Sequence, residues 1–280
     1  MALTCPACDH PRVDVVEFTD DARMLVRCGG CDHEWTHPPK VPVPATGRAS
    51  TQPRHLSRDE AHARFPTEDD LTDAARRRLL NWKDRFLTRQ PTPDPRVADY
   101  FERYRHVFSA TGLPQATPAE LKSFANNSIG ARPGNMSVFN RAWNALGDEA
   151  AAAKVRRAVE YLLRGTEERH IEDRMQTLVV SDDRGMTGFR ESLLTRVLCV
   201  VEPTRFLPIL TYTSPAGGKK EIAAAVFDLE LPAPSTTSMT AGRLAFWSND
   251  LLLRLCGPGF VDVAHASEFL WWAKDQSRPS

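Results

Sequence analysis

CPACDHPRVDVVEFTDDARMLVRCGGC, residues 5–31, decides how the chain divides. Two C-x-x-C pairs, Cys5/Cys8 and Cys28/Cys31, enclose the runs VDVVEF and RMLVRC, which read as two short strands around a turn at TDDA. Each C-x-x-C turn presents two thiolates on one side of a knuckle, and a hairpin between the pairs brings all four together. The spacing predicts a zinc ribbon with Cys5, Cys8, Cys28 and Cys31 as ligands of Zn2+. Four thiolates complete a tetrahedral shell and leave no position for water, so the expected role of the metal is structural. Sulfur ligands alone do not choose the metal, and iron in a rubredoxin-like site stays open. A thioredoxin-like redox role for either pair lacks the expected βαβ context.

Outward from the ribbon, HPPKVPVPATGRASTQPRH (residues 37–55) is rich in Pro, Ser and Thr and has no periodicity. It reads as a linker. Helix signals follow. Ser57 and Glu60 are spaced as a capping box, and Thr117-Pro118 reads as an N-cap followed by a first-turn proline. Leu71, Ala75, Leu79, Trp82 and Phe86 share one helical face, and Val97, Tyr100, Phe101, Tyr104 and Phe108 share another. GFRESLLTRVLCVV (residues 188–201) is the most apolar helix and is expected at the centre of a core. The predicted class is mainly α, a helical body preceded by a small β zinc-ribbon module. The expected division is ribbon 1–37, Pro-rich linker 38–56, a helical domain 57–164 and a second helical domain 165–280.

Composition narrows the function. The 280 residues carry 36 basic and 36 acidic side chains. That balance argues against a chain that coats nucleic acid or membrane through bulk charge. Of the six cysteines, Cys199 and Cys256 lie alone in apolar runs and read as small buried hydrophobes. This usage fits a reducing, cytoplasmic compartment. No apolar run approaches the ~20 residues a bilayer span needs, and no secretory leader is visible.

Few motifs carry chemistry. Arg23, Arg27, His33, Trp35 and Lys40 are the ribbon residues placed to touch nucleic acid. Ala216-Gly217-Gly218-Lys219-Lys220 is not a phosphate loop, because the first glycine and the Mg2+-holding hydroxyl are absent. It reads as a turn before a helix, with a basic surface role for Lys219 and Lys220 second. No H-E-x-x-H, G-x-S-x-G or paired-carboxylate signature appears, and no catalytic residue is assigned. Trp247, Trp271 and Trp272 fit burial on helix faces.

IEDRMQTLV and GFRESLLTRVLCVVEPTRFLPIL, ending in the phrase Pro203-Thr204-Arg205-Phe206-Leu207-Pro208, together with FLWWAKDQ (residues 269–276), carry a family resemblance. Over residues 165–276 the chain resembles the helical region that precedes the AAA+ motor in McrB-like proteins of modification-dependent restriction. The resemblance implies a non-catalytic region that recognises DNA, including modified DNA. In such proteins the motor lies downstream of this region and recruits a separate nuclease, and residues 1–280 contain no Walker motif, so the resemblance implies as partners a downstream AAA+ motor or a nuclease subunit. A ribbon that docks a protein partner without nucleic acid is the alternative, and a stand-alone enzyme with an unfamiliar site is a third.

Overall fold

The computed structural model describes residues 5–8, 13–18, 24–31, 33–37, 55–90, 92–213 and 217–277. They fall into two compact units, Met1–Arg54 and His55–Ser280.

The first unit is a three-stranded antiparallel sheet, β1 (Val13–Phe18), β2 (Met24–Cys28) and β3 (Glu34–His37), in the order β1-β2-β3. The first two strands are those expected. β3 was not anticipated: four residues are too few to display an alternating pattern. Its pairing is set by the second knuckle, where the Cys28 N–H donates to the His33 carbonyl at 2.9 Å and closes the turn from β2. Along β2, Val26 and Cys28 are buried and Arg27 is exposed, the period of two of a strand with one covered face. Of the expected linker, residues 38–54 lie outside the described residues. Leu56 belongs to the helical unit: it is buried, and its N–H donates to Ser238 Oγ at 2.8 Å.

The second unit contains eleven α-helices among the described residues: α1 (Arg58–His62), α2 (Asp73–Arg89), α3 (Pro95–Val107), α4 (Pro118–Asn126), α5 (Ser137–Leu146), α6 (Asp148–Arg164), α7 (Ile171–Val180), α8 (Glu191–Val201), α9 (Lys219–Phe227), α10 (Ala241–Cys256) and α11 (Val263–Gln276). Ser57 and Thr117 each accept from the backbone three residues on, while Glu60 and Glu120 return the bond, so both starts are full capping boxes. α8 is buried without interruption from Leu193 to Val200. A helix covered on all sides needs neighbours on all sides. α3, α6, α7 and α10 supply them. Each fully buried Leu or Val here contributes roughly 1.5–3 kcal/mol of apolar transfer.

The expected boundary at 164/165 falls inside this unit. α3 packs on α8, and α6 packs on both α7 and α8, so one apolar core spans both expected domains. Two glycines permit the closest approaches. At Gly242 an added Cβ would lie 2.1 Å from the Glu172 carbonyl oxygen, so α10 crosses α7 almost backbone to backbone. At Gly188 (φ +82°) an added Cβ would strike the Phe139 backbone at 2.5 Å. That tight turn, with Met186 bridged to Phe189, starts α8 at Glu191 rather than at 188 as the apolar pattern suggests. No helix among the described residues is long and apolar enough to cross a membrane.

Candidate metal centre

The two knuckles are built alike. In the first, the Ala7 N–H donates to Cys5 Sγ at 3.4 Å; in the second, the Gly30 N–H donates to Cys28 Sγ at 3.3 Å. In both, a backbone donor two residues on reaches the first sulfur. That leading sulfur belongs to a buried residue and the trailing one, Cys8 or Cys31, to an exposed one. The knuckles interleave: Cys5 Sγ lies 3.7 Å from Cys31 Sγ, and Cys8 Sγ lies 3.6 Å from Cys28 Sγ.

Those separations discriminate between chemistries. A disulfide requires about 2.05 Å, and none of the four cysteines is in one. A tetrahedron of sulfurs ~2.3 Å from a central ion has edges of ~3.8 Å. The sulfurs all lie within 4.8 Å of one another, the arrangement of a four-ligand metal site. The surroundings favour thiolate at Cys28, while Cys31 is shifted the other way by its Cys28 and Cys5 neighbours. Burial raises the Cys28 thiol, but hydrogen bonds from the backbone of Gly30 and Cys31 and from the Cys8 and Cys5 thiols outweigh it, and the net position is about 6.

The chain matches no family model, no curated protein and no solved structure.

The residues expected to touch nucleic acid fare unevenly. Arg27 and Glu34 are direct cross-strand partners, and Arg27 Nε donates to Glu34 Oε1 at 2.7 Å, so the arginine's charge is matched within the sheet. His33 is exposed and Trp35 half-buried, with their rings stacked at 6.0 Å and 16° between planes. Arg23 and Lys40 lie outside the described residues. Lys220, in the first turn of α9, is half-buried.

Lys219 is a correction. Gly218 is the N-cap of α9, as a turn before a helix requires, but Lys219 is 1% exposed and points inward. Its Nζ donates to the Ala245 carbonyl of α10 at 2.7 Å. A charge so enclosed cannot contact nucleic acid. Desolvation lowers Lys219 to about 8, from 10.5, against the opposing pull of Cys199, Glu191 and Asp250. Below about pH 8 folded and unfolded chains are both protonated at this lysine, and the folded state carries the full burial penalty. Between about 8 and 10.5 the folded state has released the proton and the unfolded state keeps it, so stability rises with pH. Lys219→Met has no such proton to release. Urea titrations across that interval should show the wild type gaining about 3 kcal/mol on the variant. A difference independent of pH would mean that the lysine titrates normally.

Proposed function

We propose that Cys5, Cys8, Cys28 and Cys31 hold a structural zinc ion, and that the module closed by it is the recognition head of a non-catalytic targeting region. The observation that carries this reading is the set of four thiols at the edge lengths of a metal-centred tetrahedron. A four-thiolate shell offers no open position, so the metal's contribution is to fix the two knuckles and the sheet between them. The McrB-like resemblance over residues 165–276 supports DNA, including modified DNA, as the ligand, and a AAA+ motor with its nuclease partner as the machinery served. His33 and Trp35 are the ribbon residues that offer an exposed or half-exposed ring to a base or phosphate.

One observation favours the second reading, a head that docks a protein subunit. The Arg27–Glu34 pair neutralises one of the module's candidate phosphate contacts.

Mobility shifts with modified and unmodified duplexes separate the two. On the DNA reading, the chain retards a duplex at about 50 mM salt and loses it steeply as salt rises, and His33→Ala weakens the complex. Absence of retardation with every duplex at low salt would remove DNA as the ligand and leave the docking head.

A further inference from the structure

α11 presents two different faces. His265, Phe269 and Trp272 pack around Phe86 of α2, with ring centroids 5.3–5.7 Å away. Ala264, Ser267, Glu268 and Trp271, spaced i, i+3, i+4 and i+7, line a cavity of about 600 Å³ instead. The opposite wall is the segment from Ser128 to Gly134, which two α8 residues fix in place. Arg196 donates to the Asn127 and Ile129 carbonyls, and Ser192 Oγ donates to the Pro133 carbonyl at 2.9 Å. The cavity therefore has two braced walls, and its volume is that of a small-molecule pocket.

Ser267, a buried residue, lines the cavity and brings a hydroxyl to its wall. Beside it, Glu268 is half-buried and accepts from Gln90 Nε2, but no cation pairs with it among the described residues. Desolvation raises this carboxyl, with Asp262 and Asp94 adding to the rise while the Asp94 backbone N–H and His265 oppose it.

Three charged residues line the cavity: Asp94, Arg132 and Glu268. Asp94 is already matched by Arg96 at 2.7 Å. Arg132 is exposed. Glu268 is thus the half-buried lining charge that has no counter-ion among the described residues. The Trp271 indole adds a flat apolar wall. Lys274 stands 5.0 Å from the centroid of that ring but is committed to Glu221 at 3.1 Å.

We propose that this cavity is a binding site for a small organic cation, a protonated amine or amidinium on a flat apolar stem. The cationic head meets Glu268 and hydrogen-bonds Ser267, while the stem lies along Trp271. The site belongs wholly to the helical unit, so it stands or falls independently of the metal-bound head.

Benzamidine is the probe, with benzamide as its neutral isostere and benzoate as the anion, titrated calorimetrically into the full chain. Benzamidine should bind saturably with a dissociation constant of about 1 mM or lower. Benzamide and benzoate should bind at least tenfold more weakly. Glu268→Gln keeps the side-chain shape and the acceptor for Gln90, so it should lower benzamidine affinity at least tenfold with an unchanged melting temperature. Ala264→Leu, which fills the cavity, should abolish binding. The proposal is overturned if benzamidine shows no saturation by about 10 mM, if benzamide binds equally well, or if Glu268→Gln binds like the wild type. Should Ala264→Leu fail to fold, the Glu268→Gln comparison decides alone.

Discussion

Stripping the metal should unfold the cysteine module and leave the helical unit untouched. Cys5, Val26 and Cys28 are buried in the first unit. Domains as small as this one lean on a metal or disulfides to offset the ordering of their chain. A structural zinc ion in a small module contributes about 10–16 kcal/mol of apparent binding free energy, which is then folding free energy. Metal analysis of the purified chain should therefore return about one zinc ion per chain, and iron in its place would redirect the assignment. Cys28→Ser removes a ligand that accepts from the Gly30 N–H and lies 3.6 Å from Cys8 Sγ, so one knuckle loses its anchor. The variant and the chelated wild type should both lose the near-ultraviolet signal of Trp35. Far-ultraviolet helical dichroism should persist, because every helix described belongs to His55–Ser280. A Cys28→Ser protein that retains stoichiometric metal would overturn the four-cysteine assignment.

What was legible beforehand follows the range of the interactions. The capping boxes at Ser57 and Thr117, the buried Ala75, Leu79 and Phe86 of α2 and the knuckle cysteines rest on contacts within a few residues or one short hairpin, and these appear as expected, although Leu71 precedes α2 instead of joining its face. β3 escaped because four residues carry too little pattern to separate from a loop. The unity of the helical body escaped because it depends on pairings such as Arg58 Nε with Glu172 Oε1 at 2.6 Å, which joins α1 to α7 and leaves no local trace. Lys219 was misplaced for a related reason. Lysines after a glycine turn are normally solvated, and this one is buried by a carbonyl on α10 that nothing near residue 219 announces. Trp271, expected to be buried on a helix face, is half-buried and packed against the core, and it also lines the cavity. The pattern Ala264, Ser267, Glu268, Trp271 was present at helical spacing, but a small and polar stripe reads equally as a solvent face until the opposing wall is known.

Arg196→Ala should cost the helical unit about 3–5 kcal/mol, the sum of lost charge-assisted hydrogen bonds to buried carbonyls and the cavity left by a large side chain. Arg196 is 1% exposed, in the middle of the most buried helix. No carboxylate pairs with it among the described residues. Its guanidinium instead donates to the carbonyls of Phe124 and Ile129, each at 2.9 Å, and to that of Asn127. Phe124 lies in the last turn of α4 and Asn127 is its C-cap, so the cation sits where helix carbonyls lack partners and the macrodipole is negative. The rings of Tyr100 and Phe124, 4.9 and 5.2 Å from the guanidinium carbon, add cation–π attraction in a dry setting. Desolvation lowers the arginine, as burial of any cation must. Tyr100 is raised by the same desolvation, so it remains a neutral phenol that donates to the Phe124 carbonyl at 3.3 Å. Alanine would delete the bonds to all three carbonyls and open a cavity between two aromatic rings. For a unit of this size, roughly 2–4 °C per kcal/mol translates the loss into a fall in melting temperature of about 10 °C. Arg196→Met separates volume from charge: it fills most of the space but leaves the Asn127 and Ile129 carbonyls without this donor, and it should still lose about half as much. Amide hydrogen exchange should then rise first at Ser128 and Ile129, in the segment the guanidinium braces. An Arg196→Ala protein that melts within about 2 °C of the wild type would mean that water replaces the guanidinium at little cost, and that the wall facing α11 is held by Ser192 and packing alone.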